Sequence, residues 1–325
     1  MRKLALSLVA ACTLAAVPFA ASAQSYPDGT TPIRIVVPYA AGGSSDFMAR
    51  LFAKKLSENM GHSFVVDNKP GGNTIIGADY VAKSKPDGYT LYLIGELTHG
   101  SLGSLNPKLP FDPAKDFAGV SNLIESPLVV SVPPQFPASN LKEFVAYAQA
   151  HPGQVNYGSA GTGNTLHLAA EQFSKVAKVQ MNHVQYKGAS QAVLDLLAGR
   201  IQVMFDLPQT PLPHIQGGAL KALAVTAKTR LPMLPQVPTT AEAGFPAYTF
   251  TTRVGIAAPA GTPEPILNKL NAEIRKASQD PEVQQALEKQ AMLVATSATP
   301  QEHQQRLAAG IKMVSELLAG TKPAQ

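Results

Sequence analysis

A single unit of sequence, a strand that runs through a glycine-rich loop into a helix, occurs twice in this chain. The first copy is IRIVVPYAAGGSSDFMARLFAKKL at residues 33–56, and the second is QVNYGSAGTGNTLHLAAEQFSKVA at residues 154–177. In each copy the apolar residues of the helical part share one face. The copies begin about 120 residues apart, which is about one domain. The repeat therefore predicts two α/β lobes, each with a glycine-rich loop at a helix N-terminus.

Strand-like runs alternate with segments of helical period through most of the chain. Such alternation predicts an α/β fold with a largely parallel sheet and helices on both faces. The tail from Thr262 is mostly helical, and the pairs at 262–263, 280–281 and 299–300 place an N-cap residue before a proline. Glu302 also fits a capping box with Thr299. The predicted strands are 33–37, 63–67, 89–94, 128–132, 155–157, 179–184, 201–205 and 221–226.

The two glycine-rich loops have the composition of an anion-binding site. Glycines let the backbone bend so that N–H groups point outward, and the helix dipole adds partial positive charge. Hydroxyl and amide side chains supply further donors. The alternative is that both loops are only helix caps and tight turns. The candidate residues are Gly42, Gly43, Ser44 and Ser45 in one loop and Ser159, Gly161, Thr162, Gly163, Asn164 and Thr165 in the other.

Nucleotide binding and catalysis find little support in the sequence. Neither a P-loop nor a G-x-G-x-x-G fingerprint is present, so the anion is expected to be a carboxylate rather than a polyphosphate. The seven histidines show no metal-ligand spacing, and a serine nucleophile elbow is missing around Ser159. His167 is expected to make a polar contact rather than bind a metal. No metal, cofactor or catalytic residue is therefore predicted.

The first 23 residues have the pattern of a secretory signal peptide. Arg2 and Lys3 precede an apolar run that ends in Ala-Ser-Ala at residues 21–23, so the mature chain is expected to begin at Gln24 in the periplasm. Cys12 loosely resembles a lipoprotein site, but the later cleavage site fits better. Loss of Arg2 and Lys3 with the signal peptide lowers the formal charge from +5 to +3, and this small surplus without basic clusters argues against nucleic acid as a partner.

Seven blocks that occur in order along the chain resemble one family. They are PYAAGGSSDFMAR, DNKPGGNTIIGADYVAKSKPDGYTLYL, LPFDPAKDF, NYGSAGTGNTLHLAAEQF, HVQYKGASQAVLDLLAGRI, GALKALAVTAKTRLPMLPQVPTTAEAG and APAGTP. The chain resembles the Bug-type periplasmic solute receptors of the tripartite tricarboxylate transporters. This resemblance covers essentially the whole chain after the signal peptide.

The resemblance implies a type II periplasmic binding protein that closes over a small organic carboxylate and delivers it to membrane subunits. A monomer is expected, with residues 24–124 and 248–325 in one lobe and residues 125–247 in the other. The loops at 39–45 and 159–165 would hold a carboxylate between them. The ligand-binding residues implied in this way are Tyr39, Ala41, Gly42, Gly43, Ser44, Ser159, Ala160, Gly161, Thr162, Gly163, Asn164 and Thr165.

Arg253 departs from the family pattern, because relatives usually carry a tryptophan there. If Arg253 faces the cleft, its guanidinium group could pair with a second carboxylate and so favour dicarboxylates, possibly aromatic ones. The alternative is a surface arginine, since alternation along a strand leaves its face open. Glu96 and Asp206 follow predicted strands, and either could accept a hydrogen bond from the ligand, pair with Arg253 or belong to a cap or loop. Thr98 and Thr252 are further candidates.

Asp46 is expected mainly to stabilise the start of its helix.

Two other functions remain open at this point. The same receptor could present its ligand to a membrane sensor kinase, or the chain could be an enzyme of unrelated chemistry.

Overall fold

The computed structural model describes residues 26–186 and 188–319. The predicted signal peptide and the mature N-terminus at Gln24 lie outside these residues. The chain folds into two α/β lobes, each built on its own sheet. The α/β class predicted from the sequence is confirmed, but each sheet mixes parallel and antiparallel strands.

The first sheet has six strands in the order β11-β4-β10-β3-β1-β2. Strand β1 is parallel to β2 and β3, whereas β10 is antiparallel to both β3 and β4. Both faces are buried, because alternate residues of β1 and β3 belong to different hydrophobic clusters. The strands are β1 (Ile33–Val37), β2 (Phe64–Asn68), β3 (Thr90–Gly95), β4 (Phe117–Pro127), β10 (Thr251–Pro259) and β11 (Leu293–Val294).

The second sheet has five strands in the order β7-β6-β8-β5-β9. Strand β6 is parallel to β7 and β8, and β5 is antiparallel to β8 and β9. The strands are β5 (Val129–Val132), β6 (Val155–Ser159), β7 (Met181–Gln185), β8 (Val203–Asp206) and β9 (Lys221–Val225). All eight predicted strands are present, with ends shifted by a few residues. Strands β4 and β11 were not predicted, and β10 was expected only as the strand that carries Arg253. Strands β4 and β10 form a long antiparallel pair.

Ten α-helices accompany these strands within the described residues. Helices α1, α2 and α3 follow strands of the first sheet, α4 to α7 belong to the second lobe, and α8 to α10 follow β10. They are α1 (Ser44–Met60), α2 (Ile75–Ala82), α3 (Glu96–Leu105), α4 (Leu141–Ala150), α5 (Thr165–Ala177), α6 (Ala189–Leu197), α7 (Leu212–Gln216), α8 (Glu264–Ser278), α9 (Pro281–Glu288) and α10 (Pro300–Leu317). None of the helices in the described ranges is long and apolar enough to cross a membrane.

Two of the three predicted N-caps of the C-terminal helices are confirmed. Asp280 accepts a hydrogen bond from the N–H of Glu282, and Thr299 accepts one from the N–H of Glu302. The prediction for Thr262 is wrong, because Pro263 is the N-cap of α8 and the Thr262 hydroxyl donates back to the Pro259 carbonyl at 2.8 Å. In a complete capping box the Glu302 carboxylate would accept from the Thr299 N–H, but it accepts from the Ala298 N–H instead.

Three stretches of chain connect the lobes. The chain passes from β4 into β5 at Leu128, and it returns through Phe250 into β10. Helix α10 is the third connection, because it packs on α3 and also reaches the second lobe. There Val314 joins the same buried cluster as Phe173, and Lys175 Nζ donates to the Leu317 carbonyl at 2.6 Å.

Candidate functional site

A cavity of about 420 Å³ lies between the two lobes. The first lobe contributes residues at the start of α1 and α3 and along β4 and β10. The second lobe contributes the starts of α5 and α6 and the segment after β8. A cavity of this size is in the range of small-molecule sites. None of the described residues that line it carries a charged side chain.

Four helix N-termini converge on this cavity. The residues at the starts of α1, α3, α5 and α6 all line its wall. Three of the four N-cap residues are glycines, namely Gly43, Gly95 and Gly188, and none of them provides a side-chain cap. The N–H groups in the first turn of a helix have no partner within the helix, and its dipole places partial positive charge there. This geometry suits an anionic ligand that hydrogen-bonds to backbone N–H groups.

The first glycine-rich loop is held by Asp46, a buried carboxylate in the first turn of α1. Asp46 Oδ2 accepts from the Gly42 N–H at 3.0 Å and from Arg50 Nε at 2.9 Å. Asn68 donates to Asp46 Oδ1 at 3.0 Å and to the Tyr39 carbonyl at 3.1 Å. The hydrogen bond from Arg50, aided by those from Gly42 and Asn68, lowers the pKa of Asp46 to about 2. Asp46 therefore shapes the loop from behind.

The second loop is held by neutral groups. Ser159 Oγ lies 2.6 Å from His183 Nε2 and accepts from the Gly161 N–H at 3.1 Å. His167 Nδ1 accepts from the Gly163 N–H at 3.2 Å, which is the polar contact expected of this histidine. Burial lowers the pKa of both His167 and His183 to about 4, so both rings are neutral at physiological pH.

Asn164 adds a side-chain cap to α5, because its Oδ1 accepts from the Leu166 N–H at 2.9 Å. This cap occupies one of the N–H groups that the other three helices leave without a side-chain partner. Helix α5 therefore presents fewer backbone donors to the cavity, and the side chains of Asn164 and Thr165 line the wall themselves.

Two further openings of the cleft adjoin the central cavity. One, of about 530 Å³, lies between the start of α1 and the segment after β8. The other, of about 920 Å³, lies between the second loop and the segment at residues 70–74. Of the candidate residues, those that line at least one of the three spaces are Tyr39, Gly42, Gly43, Ser44, Ser45, Thr98, Ala160, Gly161, Thr162, Asn164, Thr165, Asp206 and Thr252.

Five candidate residues line none of these three spaces. Ser159 and Gly163 lie beneath the second loop, where they bond to the histidines, and Ala41 lies outside the lining of the first loop. Glu96 and Arg253 lie on the far side of the first sheet. These five residues differ from their neighbours in sequence in burial and in backbone position. Residue type alone does not reveal either property.

The expectation that Arg253 binds a second carboxylate is not supported by its position in β10. Thr252 and Val254 line the central cavity, so strand alternation turns Arg253 to the opposite face. There its guanidinium group lies 3.3 Å from the Glu125 carboxylate and 3.8 Å from that of Glu96. Burial raises the pKa of Glu96, and the charge of Arg253 opposes this rise. The pairing of Glu96 with Arg253, one of the predicted alternatives, is present.

Several residues of the central cavity were not predicted. Gly188, at the start of α6, carries the same signal as the two loops, a glycine between a strand and a helix, but the sequence around it has only one glycine. Ser126 and Gln209 lie at the lobe crossing and after β8, and Met292 precedes the short strand β11. Nothing in their local sequence distinguishes these three residues from surface residues.

Comparisons with known proteins agree with this architecture. A model of the tripartite tricarboxylate transporter receptor family, TctC, matches residues 48–317. The protein BugT of Bordetella pertussis is 36% identical over 280 residues, which cover 86% of this chain and 83% of BugT.

Solved structures of similar proteins share this fold. MatC from Rhodopseudomonas palustris, solved with bound malate, has a TM-score of 0.75 at 32% identity and covers 88% of this chain and 98% of its own. The R. palustris protein Rpa4515, solved with adipate, has a TM-score of 0.79 at 32% identity and covers 91% of this chain and 100% of its own. This chain therefore belongs to the receptor family of the tripartite tricarboxylate transporters, whose members are periplasmic solute-binding proteins and not enzymes.

Proposed function

We propose that this receptor captures a small organic carboxylate in the cleft and delivers it to the membrane subunits of a tripartite tricarboxylate transporter. The observation that carries the proposal is the convergence of four helix N-termini on a cavity without charged side chains. A carboxylate there accepts hydrogen bonds from backbone N–H groups of α1, α3 and α6 and from the side chains of Asn164 and Thr165. Such neutral donors bind an anion without leaving an unpaired buried charge when it departs.

A dicarboxylate of about four to six carbons is the favoured ligand, since MatC was solved with malate and Rpa4515 with adipate. Because the Arg253 side chain faces away from the cavity, hydroxyl groups donate the hydrogen bonds to the second carboxylate. Ser126, Thr98 and Thr252 provide them along the first lobe. Met48 and Met292 form part of an apolar wall that suits an aliphatic or aromatic ligand body.

Capture involves closure of the lobes about the crossings at Leu128 and Phe250, so that the second lobe, predicted at residues 125–247 and lying between these crossings in the structure, moves against the rest of the chain. Hinges of this kind consist of a few residues between rigid elements. Export requires removal of the signal peptide after Ala23, so the acting form begins at Gln24 in the periplasm. Small-angle scattering with and without ligand tests the closure, and identical profiles at saturation contradict it.

The binding proposal is tested by calorimetry on the mature chain with a panel of carboxylates and their amides. Succinate, adipate and terephthalate are compared with the corresponding diamides, which keep the shape of the ligand and lose its charge. We expect micromolar binding, about −8 kcal/mol, for at least one acid and no measurable binding for its diamide. Equal binding of an acid and its diamide contradicts anion recognition by the helix ends. A bound acid also raises the melting temperature, because it stabilises only the folded state.

A further inference from the structure

Asp206 is a buried carboxylate whose hydrogen bonding is incomplete. It ends β8 and is only 1% exposed. Its Oδ1 accepts from the Leu207 N–H at 2.7 Å, whereas Oδ2 has no hydrogen-bond partner in the described part of the chain. Burial raises the pKa of Asp206 to about 7, although hydrogen bonds from the Leu207 N–H and the nearby Thr210 hydroxyl oppose the rise. Buried hydrogen-bond acceptors in proteins are almost always paired, so we expect Oδ2 to accept a hydrogen bond when the cleft is occupied.

The position of Asp206 indicates where that partner comes from. Asp206 lines the 530 Å³ opening of the cleft, opposite Gly43 and Ser44 at the start of α1. Gly43, Ser44 and Asn164 line both this opening and the central cavity, so a carboxylate bound by them lies between the two spaces. No lysine, arginine or histidine is among the described residues that line either space. The lining therefore offers Asp206 no cationic partner, and beyond the nearby Thr210 hydroxyl a donor for Asp206 Oδ2 comes from the ligand or from water.

We propose that Asp206 selects carboxylates that carry a hydrogen-bond donor, a hydroxyl or an ammonium group, on the carbon next to the carboxylate. Resting on the proposed function, this inference narrows the ligand class from organic acids to 2-hydroxy and 2-amino acids. The helix N-termini bind the carboxylate, and Asp206 accepts a hydrogen bond from the neighbouring substituent. A hydrogen bond to a charged acceptor in a buried site is stronger than one between neutral groups.

The test compares two trios of acids that differ only in the group next to the carboxylate. The trios are succinate, L-malate and L-aspartate, and adipate, 2-hydroxyadipate and 2-aminoadipate. Calorimetry on the mature protein at pH 7.5 gives the dissociation constants. We expect the hydroxy or amino acid of at least one trio to bind about tenfold or more tightly than the unsubstituted acid.

The variant Asp206→Asn keeps the shape of the side chain and the acceptor for the Leu207 N–H but removes the charge. We expect it to fold with unchanged or higher stability. Its affinity for the amino acid should fall about tenfold or more and for the hydroxy acid about threefold, with no loss for the unsubstituted acid. Glu316→Gln is the matched control, because Glu316 lies exposed on α10 and its replacement removes one carboxylate far from the cleft.

Four results overturn the inference. Equal binding of all members of both trios overturns it while leaving the proposed function intact, as does tighter binding of the unsubstituted acids. Retention of the preference by Asp206→Asn assigns the selectivity to other residues. If no acid of either trio binds, the proposed ligand class falls together with the inference.

Discussion

The two glycine-rich loops occupy matching places in the two lobes but are held in different ways. The first loop is tied to Asp46, an ionised carboxylate whose partner Arg50 is half exposed to solvent. The second loop is tied to the neutral groups Ser159, His167 and His183, stacked beside the ring of Tyr157. The same backbone element can therefore be fixed by a charge pair near solvent or by a buried neutral network. The two solutions differ in how they respond to acid.

The loops also differ in their glycines. Gly43 has an extended backbone, and a Cβ added there would meet nothing closer than the Ala40 carbonyl at 3.9 Å. Gly163 has a positive φ of 78°, and a Cβ there would overlap Leu105 and Ser101 of the first lobe. Gly163 is therefore a point of close approach between the lobes, whereas Gly43 is open to the ligand. Each of the following substitutions tests one side of this comparison.

The largest effect is expected from Gly163→Ala. The left-handed backbone costs an alanine about 1–2 kcal/mol, and the methyl group pushes against Leu105 across the cleft. We expect a loss of this size in the free energy of unfolding, measured with urea, and at least a tenfold loss of ligand affinity. The paired variant Gly43→Ala should lose affinity with a smaller loss of stability than Gly163→Ala, since its only expected cost is that alanine is a poorer N-cap than glycine. Equal stability losses in both variants would erase the distinction between the two glycines.

The next effect is expected from Asp46→Asn. The carboxylate has a folded-state pKa of about 2 against about 3.8 in the unfolded chain, so its stabilisation is complete above pH 4 and is lost as the pH falls toward 2. We expect the variant to be less stable than the wild type by about 2 kcal/mol at pH 7, with the difference shrinking below pH 4. Urea titrations at pH 7, 4 and 3 measure it. A difference as large at pH 3 as at pH 7 would mean that shape, not charge, holds the first loop.

His167→Gln tests the neutral network over a different pH range. The folded-state pKa of His167 is about 4 against about 6.5 when unfolded, so acid protonates the unfolded chain first and stability falls from pH 6.5 toward 4. The glutamine side chain does not titrate, so the variant lacks this contribution of His167 to the loss of stability in acid. We expect its stability to fall by roughly 1–2 kcal/mol less than that of the wild type between pH 7 and 5. If the stabilities of the variant and the wild type fall by the same amount between pH 7 and 5, the acid sensitivity belongs to the other buried histidines.

The smallest effect on binding is expected from Arg253→Ala. Because Arg253 faces Glu96 and Glu125 behind β10, its loss leaves the lining of the cleft unchanged. We expect dissociation constants for succinate and adipate within about twofold of the wild type, and a stability loss of at most about 1 kcal/mol for a partly exposed pair. A selective loss of dicarboxylate binding by calorimetry would restore the ligand role that the sequence suggested for this residue.

The local signals in the sequence were sufficient for much of the fold and for part of the site. Alternating apolar residues marked the strands, and glycines before apolar stripes marked the starts of α1 and α5, because these patterns act over a few neighbouring residues. Strand β4 gave no such signal, since it is buried along nearly its whole length and lacks alternation. The single glycine at 188 was likewise too weak a mark for the start of α6.

What the sequence determined by itself is therefore the succession of strands, loops and helices and the two anion-binding loops. The tertiary structure decided which side chains face the ligand. Arg253 and Thr252 are neighbours in sequence, yet the pairing of β10 with β3 and β4 places them on opposite faces of one sheet. Asp206 and Glu96 are both acids at the ends of strands, but in the described part of the chain Glu96 pairs with Arg253 of a distant strand, whereas Asp206 Oδ2 has no hydrogen-bond partner. The physical reason is that backbone conformation follows from local sequence, whereas the partner of a polar side chain is supplied by residues far along the chain.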